Sequence, residues 1–360
     1  MSDAAIDDIV ALLPPLLQSI DALAFVARHL NPADYAAVLD AVGAPDEALA
    51  AARSRLGAWP EKLAHVRARL EAASDEALAG FAGLRAVPGD PDGIRSAFRA
   101  LRHAPRAQEA LYPLAATLPP VSQFFLDPSV RDVSALIARL DGLAPSENTG
   151  VMHGGGEPGA RGGFSMYVPE YYTPERRWPL VMAMHGGSGN GRAFLWSWLR
   201  DARSFGAIVV APTATGGTWA LMEEDRDTPN LLRILDDVRT RWNIDAGHML
   251  LTGMSDGGTF SYVSGLEATS PFTHLAPVSA SFHPFLAEAA DEQRLRDLPI
   301  FVTHGKLDWM FPVQLARQAE QALSQAGARI TYREIDDLSH TYPREINAEL
   351  LRWLNETPPA

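Results

Sequence analysis

Ten residues constrain this chain more than any others. Leu250-Leu251-Thr252-Gly253-Met254-Ser255-Asp256-Gly257-Gly258-Thr259 is an apolar run that ends in Gly-x-Ser-x-Gly and then takes up a helical pattern. A strand that turns at once into a helix forces its central residue into a strained backbone conformation and needs small neighbours, which Gly253 and Gly257 supply. Such a turn lifts the Ser255 hydroxyl above the edge of a sheet. A Gly/Ser motif this short also suits an ordinary strand-to-helix turn, so a base, an acid and an oxyanion site must be found elsewhere in the chain.

The surroundings fit a sheet. From residue 163 onward short apolar segments alternate with helical ones, the pattern of a mostly parallel sheet covered on both faces. Strands are expected at 164–168, 180–184, 207–211, 249–253, 275–278, 300–303 and 330–335, with helices near 191–205, 230–242, 257–266, 313–326 and 344–354. In open sheets of this kind ligands sit beyond the carboxyl ends of the strands, so the chemistry belongs just after each strand.

The second strand runs into Met184-His185-Gly186-Gly187-Ser188-Gly189-Asn190-Gly191. Glycines there let the backbone turn sharply and aim an N–H at a carbonyl oxygen, so the amides of Gly187 and Asp256 form a candidate oxyanion hole. A phosphate loop is the other reading of a glycine-rich run, but the Gly-Lys-Ser/Thr ending is missing. The Asp256 carboxylate suits the first turn of the following helix, and only its backbone is needed for catalysis. After the strand at 300–303 comes His304-Gly305-Lys306-Leu307-Asp308, and after that at 330–335 comes Asp336-Asp337-Leu338-Ser339-His340. Ser255, Asp308 and His340 therefore offer nucleophile, acid and base in the chain order Ser…Asp…His. Asp308 would hold the His340 imidazole in one tautomer and stabilise it as it takes the Ser255 proton. Asp336 and Asp337, close to His340 in the same loop, read as surface charge, and His304 as a structural histidine. His185 and the other histidines show no metal-ligand spacing, so no metal site is expected.

The remainder is different in kind. A chain of 360 residues with 47% hydrophobic content exceeds the usual single domain. Residues 1–145 are rich in Ala, Leu and Arg, with apolar residues at helical spacing and Pro or Gly punctuation, and read as an all-helical domain. Ile6, Ile9, Val10 and Leu13 form one expected stripe; Leu63, Val66 and Leu70 a second; Val133, Leu136, Ile137 and Leu140 a third. Asn31-Pro32, Asp90-Pro91 and Asp127-Pro128 mark expected helix starts. Residues 146–162, glycine-rich, read as a linker or entry loop, and residues 163–360 as the catalytic domain. Within the linker His153-Gly154-Gly155-Gly156 spells an oxyanion motif, but no apolar strand precedes it, and it is set aside as a decoy.

A net charge of −13 argues against a nucleic-acid partner, and the absence of cysteine excludes disulfides, thiolate metal sites and cysteine nucleophiles. The start, Met1-Ser2-Asp3-Ala4-Ala5-Ile6-Asp7-Asp8, is acidic and lacks the basic region of a signal peptide. No uninterrupted apolar run reaches the roughly 18 residues of a membrane span, so no span and a cytoplasmic location are expected.

Four motifs in order carry a resemblance. Met184-His185-Gly186-Gly187-Ser188-Gly189 with Thr218-Trp219, then Gly253-Met254-Ser255-Asp256-Gly257-Gly258, then Thr303-His304-Gly305-Lys306-Leu307-Asp308 with Phe311-Pro312, and finally Tyr332-Arg333-Glu334 running on to Ser339-His340 make residues 160–357 similar to the α/β-hydrolase superfamily. More narrowly, they resemble its phospholipase/carboxylesterase and polyhydroxybutyrate-depolymerase-like branch. The resemblance implies a doubly wound, mostly parallel sheet and hydrolysis of a small-molecule carboxylic ester or thioester through an acyl-serine, without cofactor. A serine peptidase or amidase on the same fold is the alternative enzyme. A non-catalytic binding protein is the alternative of another class, though such proteins usually lack a triad member and none is missing here. Trp219, Trp309, Met310, Phe311, His283 and Tyr342 are candidates to line the substrate pocket, with core packing the competing role for each. The helical region is a candidate lid, or a surface for self-association or partner binding.

Overall fold

The computed structural model describes residues 3–359, so Met1 and Ser2, where the acidic N-terminal stretch begins, lie outside the described residues. The chain divides into two compact units, Met1–Ala144 and Pro145–Ala360.

The first unit is helical: α1 (Asp3–His29), α2 (Tyr35–Val42), α3 (Pro45–Ser54), α4 (Ala64–Ala86), α5 (Ile94–Leu101), α6 (His103–Leu111), α7 (Pro119–Phe124) and α8 (Ser134–Leu140). Helix α1 buries Leu12, Leu16, Leu23 and Val26 within this unit, whereas Val10 of the expected stripe is 66% exposed. The stripe is therefore rotated from the expected one, with Ile9 and Leu13 inside and Ile6 and Val10 outside. Asn31 and Asp127 each accept a backbone N–H two residues on, at 3.1 and 2.8 Å, and open 3-10 turns as their Asn-Pro and Asp-Pro pairs suggest.

Helix α1 is more apolar over its length than the sequence reading expects. Ala4–His29 is long and apolar enough to cross a membrane by length and composition, with a mean hydropathy of 1.9. Counting uninterrupted apolar residues misses it, because Pro14, Pro15, Gln18, Ser19 and the single charge of Asp21 break the run. In the structure 44% of that window is buried inside the protein.

The second unit is one eight-stranded sheet: β1 (Gly150–Gly154), β2 (Phe164–Val168), β3 (Trp178–Met184), β4 (Ile208–Pro212), β5 (Ile244–Met254), β6 (His274–Val278), β7 (Pro299–Gly305) and β8 (Arg329–Ile335), in the order β1-β2-β4-β3-β5-β6-β7-β8. The six strands from β4 to β8 pair in parallel, and β1 and β2 are antiparallel additions at one edge. Strands β3, β4 and β6 are buried along their whole length, as near-continuous apolar runs require when helices cover both faces. Those covers are α9 (Gly191–Phe194), α10 (Leu199–Phe205), α11 (Asp227–Arg241), α12 (Asp256–Gly265), α13 (Phe285–Ala289), α14 (Glu292–Leu295), α15 (Gln314–Gln325) and α16 (Asn347–Glu356). The expected single helix at 191–205 is broken by a 3-10 turn at Leu195–Ser197.

The glycine-rich run expected as a linker contributes a strand. Gly150–Gly154 pairs antiparallel with β2, and His153 lies opposite Ser165, whose hydroxyl is 2.8 Å from its Nδ1. An edge strand makes only one ladder, which is why glycines that would weaken a central strand are tolerated there.

Candidate active site

Strand β5 ends at Met254, Ser255 makes the turn and α12 starts at Asp256. Ser255 has φ +56° and ψ −120°, a conformation that costs a non-glycine residue about 1–3 kcal/mol. What holds it there is close packing. A side chain at Gly257 would put its Cβ 2.5 Å from the His185 carbonyl oxygen, and one at Gly253 would lie 2.5 Å from the Gly257 backbone. The Ser255 amide donates to the Val278 carbonyl at the end of β6 (2.9 Å), and its own carbonyl accepts from Thr259 (2.8 Å).

Three side chains from three strand ends meet at this turn. His340, in the loop after β8, has Nε2 2.9 Å from Ser255 Oγ and Nδ1 2.8 Å from Asp308 Oδ2, and all three residues are buried. Asp308 Oδ1 accepts the amides of Met310 (2.9 Å) and Phe311 (2.8 Å). Burial by itself raises the Asp308 carboxyl, but the hydrogen bonds from His340 and Phe311 and the nearby His340 and His304 rings hold it below the usual carboxylate value. An ionised Asp308 fixes the proton of His340 on Nδ1 and leaves Nε2 as an acceptor toward Ser255. Phe311 packs its ring edge-on to the imidazole with centroids 5.2 Å apart.

His304 does not join Ser255. Its Nε2 donates to the Phe311 carbonyl (2.8 Å) and lies 3.4 Å from Asp308 Oδ2, so it braces the loop that carries the acid. Asp336 is 83% exposed and pairs with Lys306 at 2.6 Å, away from the His340 ring.

On the other side of Ser255 lies the β3 loop. His185 is buried, donates from Nδ1 to the Gly186 carbonyl (2.6 Å) and accepts the Ala214 amide at Nε2 (3.1 Å). Burial pushes its pKa down to about 4, so it stays neutral and serves as a two-ended brace. Gly187 abuts the elbow: a Cβ there would lie 2.8 Å from Asp256 Oδ2. As first residue of α12, Asp256 has an N–H that no helical turn takes up. The amides of Gly187 and Asp256 thus belong to neighbouring backbone segments beside Ser255.

The proposed pocket residues divide. Trp219 is core: its indole N–H donates to the His185 carbonyl (2.7 Å), and its ring stacks on Phe260. A strand-end tryptophan in the sequence can line a pocket or support a loop, and here it supports the loop. Tyr342 packs against Phe194 and Trp198 and donates to Asn347 Oδ1 (2.8 Å). Trp309 and Met310 are 43% and 47% exposed beside His340, and His283 is exposed after β6, its Nδ1 accepting the Phe285 amide at 3.2 Å.

The sequence reading missed Asp227, whose carboxylate accepts the amides of Thr215 and Ala220, both at 2.8 Å, and so clamps both ends of the loop bearing Thr218 and Trp219. An aspartate at a helix start is its only signal, and it does not say which loop is held. Ser279 was also missed. Ser188, Ser255 and Ser279 have φ of +58°, +56° and +46° and follow the carboxyl ends of the neighbouring strands β3, β5 and β6, while Asp297, the other non-glycine residue with positive φ among the described residues, precedes β7. Among the described residues no group of three or more His, Asp or Glu is placed to hold a metal.

Residues 225–357 match the family model described as phospholipase/carboxylesterase. Over 203 residues, 55% of this chain, the sequence is 29% identical to a bifunctional acetylxylan esterase/xylanase of Neocallimastix patriciarum, and the match spans 29% of that protein. Among solved structures, a thermostable esterase is 22% identical with a TM-score of 0.45, the match covering 54% of this chain and 59% of that one. A truncated carbohydrate esterase from gut microbiota is 14% identical with a TM-score of 0.49, covering 59% of this chain and 98% of that one.

Proposed function

We propose that this chain, whose residues 225–357 match the phospholipase/carboxylesterase family model, cleaves a carboxylic ester or thioester through an acyl-serine intermediate. The observation that carries the reading is the unbroken chain Ser255–His340–Asp308, with contacts of 2.9 and 2.8 Å on a strained strand-to-helix turn.

In this reading Ser255 Oγ attacks the ester carbonyl while His340 Nε2 takes its proton. Asp308 keeps the Nδ1 proton in place and stabilises the imidazolium. The carbonyl oxygen gathers negative charge as the tetrahedral intermediate forms, and the amides of Gly187 and Asp256 donate to it. One such donor is worth about 3–4 kcal/mol in enzymes of this kind. His340 then protonates the leaving alcohol or thiol, and a water activated by the same imidazole releases the acid. Trp309, Met310 and Phe311, apolar and next to His340, are the proposed walls for an apolar substituent.

The experiment is a panel of nitrophenyl esters graded by acyl length, run beside acyl-CoA thioesters and peptide amides. Turnover of esters or thioesters that is lost in Ser255→Ala is expected. Amide turnover exceeding ester turnover would reassign the chain to the peptidases, and turnover unchanged in Ser255→Ala would end the serine mechanism.

A further inference from the structure

The Asp256 side chain is not used by the mechanism above, which needs only its amide. Its surroundings are built nonetheless. Asp256 Oδ2 accepts the Thr218 hydroxyl at 2.5 Å and lies against Gly187, where a Cβ would approach it to 2.8 Å. Thr218 in turn is held on a braced loop: Asp227 clamps residues 215 and 220, and Trp219 is tied to the His185 carbonyl. The second carboxylate oxygen, Oδ1, accepts no hydrogen bond among the described residues, and Asp256 is only half-buried. A carboxylate that merely capped α12 would need neither the Thr218 partner nor the rigid loop behind it.

We propose that the Asp256 carboxylate is a specificity-determining group of the active site, which favours substrates presenting a hydrogen-bond donor near the scissile carbonyl and rejects those carrying an anion there. This rests on the serine-hydrolase reading of Ser255. The physical basis is twofold. A free carboxylate oxygen on a side chain that abuts Gly187, one of the two proposed oxyanion donors, forms a charge-assisted hydrogen bond with a hydroxyl or ammonium group. The same oxygen repels a second carboxylate in a partly desolvated site, where screening by water is reduced. Discrimination is then a difference in affinities with an attractive and a repulsive element. Thr218 aims the carboxylate by occupying its other oxygen.

The test compares nitrophenyl esters of butyrate, 3-hydroxybutyrate and succinate, matched in acyl length, and, for a donor on the alcohol side, butyryl esters of propanol and of glycerol. In the unaltered protein kcat/KM for the succinyl ester is expected to fall about tenfold or more below butyrate, and the hydroxyl-bearing member of one pair is expected to exceed its plain partner by about tenfold. The pair that responds says which side of the ester carries the donor. In Asp256→Asn the penalty on succinate should shrink to about threefold or less as the charge is removed. In Asp256→Ala the hydroxyl advantage should also disappear, and Thr218→Val should lose part of both ratios. Methyl ketone analogues of the three acyl esters, titrated by calorimetry, read the same ranking without turnover. Equal values across each series in the unaltered protein would overturn the proposal, as would variants in which all rates fall together with the ratios unchanged. Loss of butyrate turnover in Ser255→Ala reports separately on the serine reading.

Discussion

The chain contains two stretches of nearly the same composition that do different work. His153-Gly154-Gly155-Gly156 and His185-Gly186-Gly187 each put a histidine before glycines, yet the first belongs to the edge strand β1 and the second leaves the buried end of β3. His153 makes a side-chain contact with Ser165 on the neighbouring strand. His185 has both ring nitrogens engaged, one on Gly186 and one on Ala214, and offers its carbonyl to Trp219. The difference is set by what precedes each run. Seven buried residues fix β3 against the elbow strand β5, whereas β1 pairs with a single neighbour. A glycine-rich turn becomes a tool for catalysis only when a rigid strand aims it.

The comparison breaks most visibly at the residues the second run faces. Ser255→Ala and His340→Ala should each lower ester turnover by several orders of magnitude, because members of such a unit act together. His153→Ala should leave turnover within about twofold, since His153 is an exposed residue of the edge strand. Steady-state rates on one ester decide it, and comparable losses at both runs would contradict the distinction.

The acid comes next. Asp308→Asn should retain the fold and lose about three to four orders of magnitude in kcat, by stabilising the wrong His340 tautomer. Asp336→Asn should do little, since its partner is the exposed Lys306. A sensitive Asp336 would move the acid to the loop after β8.

Smaller effects concern stability. His185→Ala leaves the buried Ala214 amide without the imidazole, at about 1–3 kcal/mol, while the Gly186 carbonyl keeps the Gly189 amide. His153→Ala loses the Ser165 contact at the sheet edge and should cost less than His185→Ala. Thermal melts of both variants compare them directly. The pH dependence sharpens the contrast. The folded pKa of His185, about 4, is below its ordinary 6.5, so the unfolded chain binds the proton more readily. Stability from this group is therefore fully present above pH 6.5 and is lost as pH falls toward 4. His274, also held down to about 4 by burial, acts in the same window. His185→Gln should flatten part of this acid-side loss, and an unchanged slope would mean that His185 does not titrate as described.

Much of the site was legible because each chemical residue sits just past an apolar strand, and apolar runs are the plainest signal a parallel sheet gives. The positions of Ser255, Asp308 and His340 needed only strand ends and chain order. What stayed hidden depends on partners far away in sequence. Nothing near Trp219 says that its indole will reach the His185 carbonyl rather than a substrate, and nothing near Asp227 says which loop it will clamp. Strand β1 was hidden because its glycines argue against a central strand and say nothing of an edge. The apolar length of α1 was hidden by two prolines, two uncharged polar residues and Asp21.

An activated Ser255 is what the proposed chemistry requires first. Treating the native protein with a fluorophosphonate probe and mapping the adduct by mass spectrometry tests it directly. A single adduct on Ser255, absent from Ser255→Ala and strongly slowed in His340→Ala, is the predicted result. Labelling of another serine, or labelling of Ser255 at the same rate without His340, would contradict it.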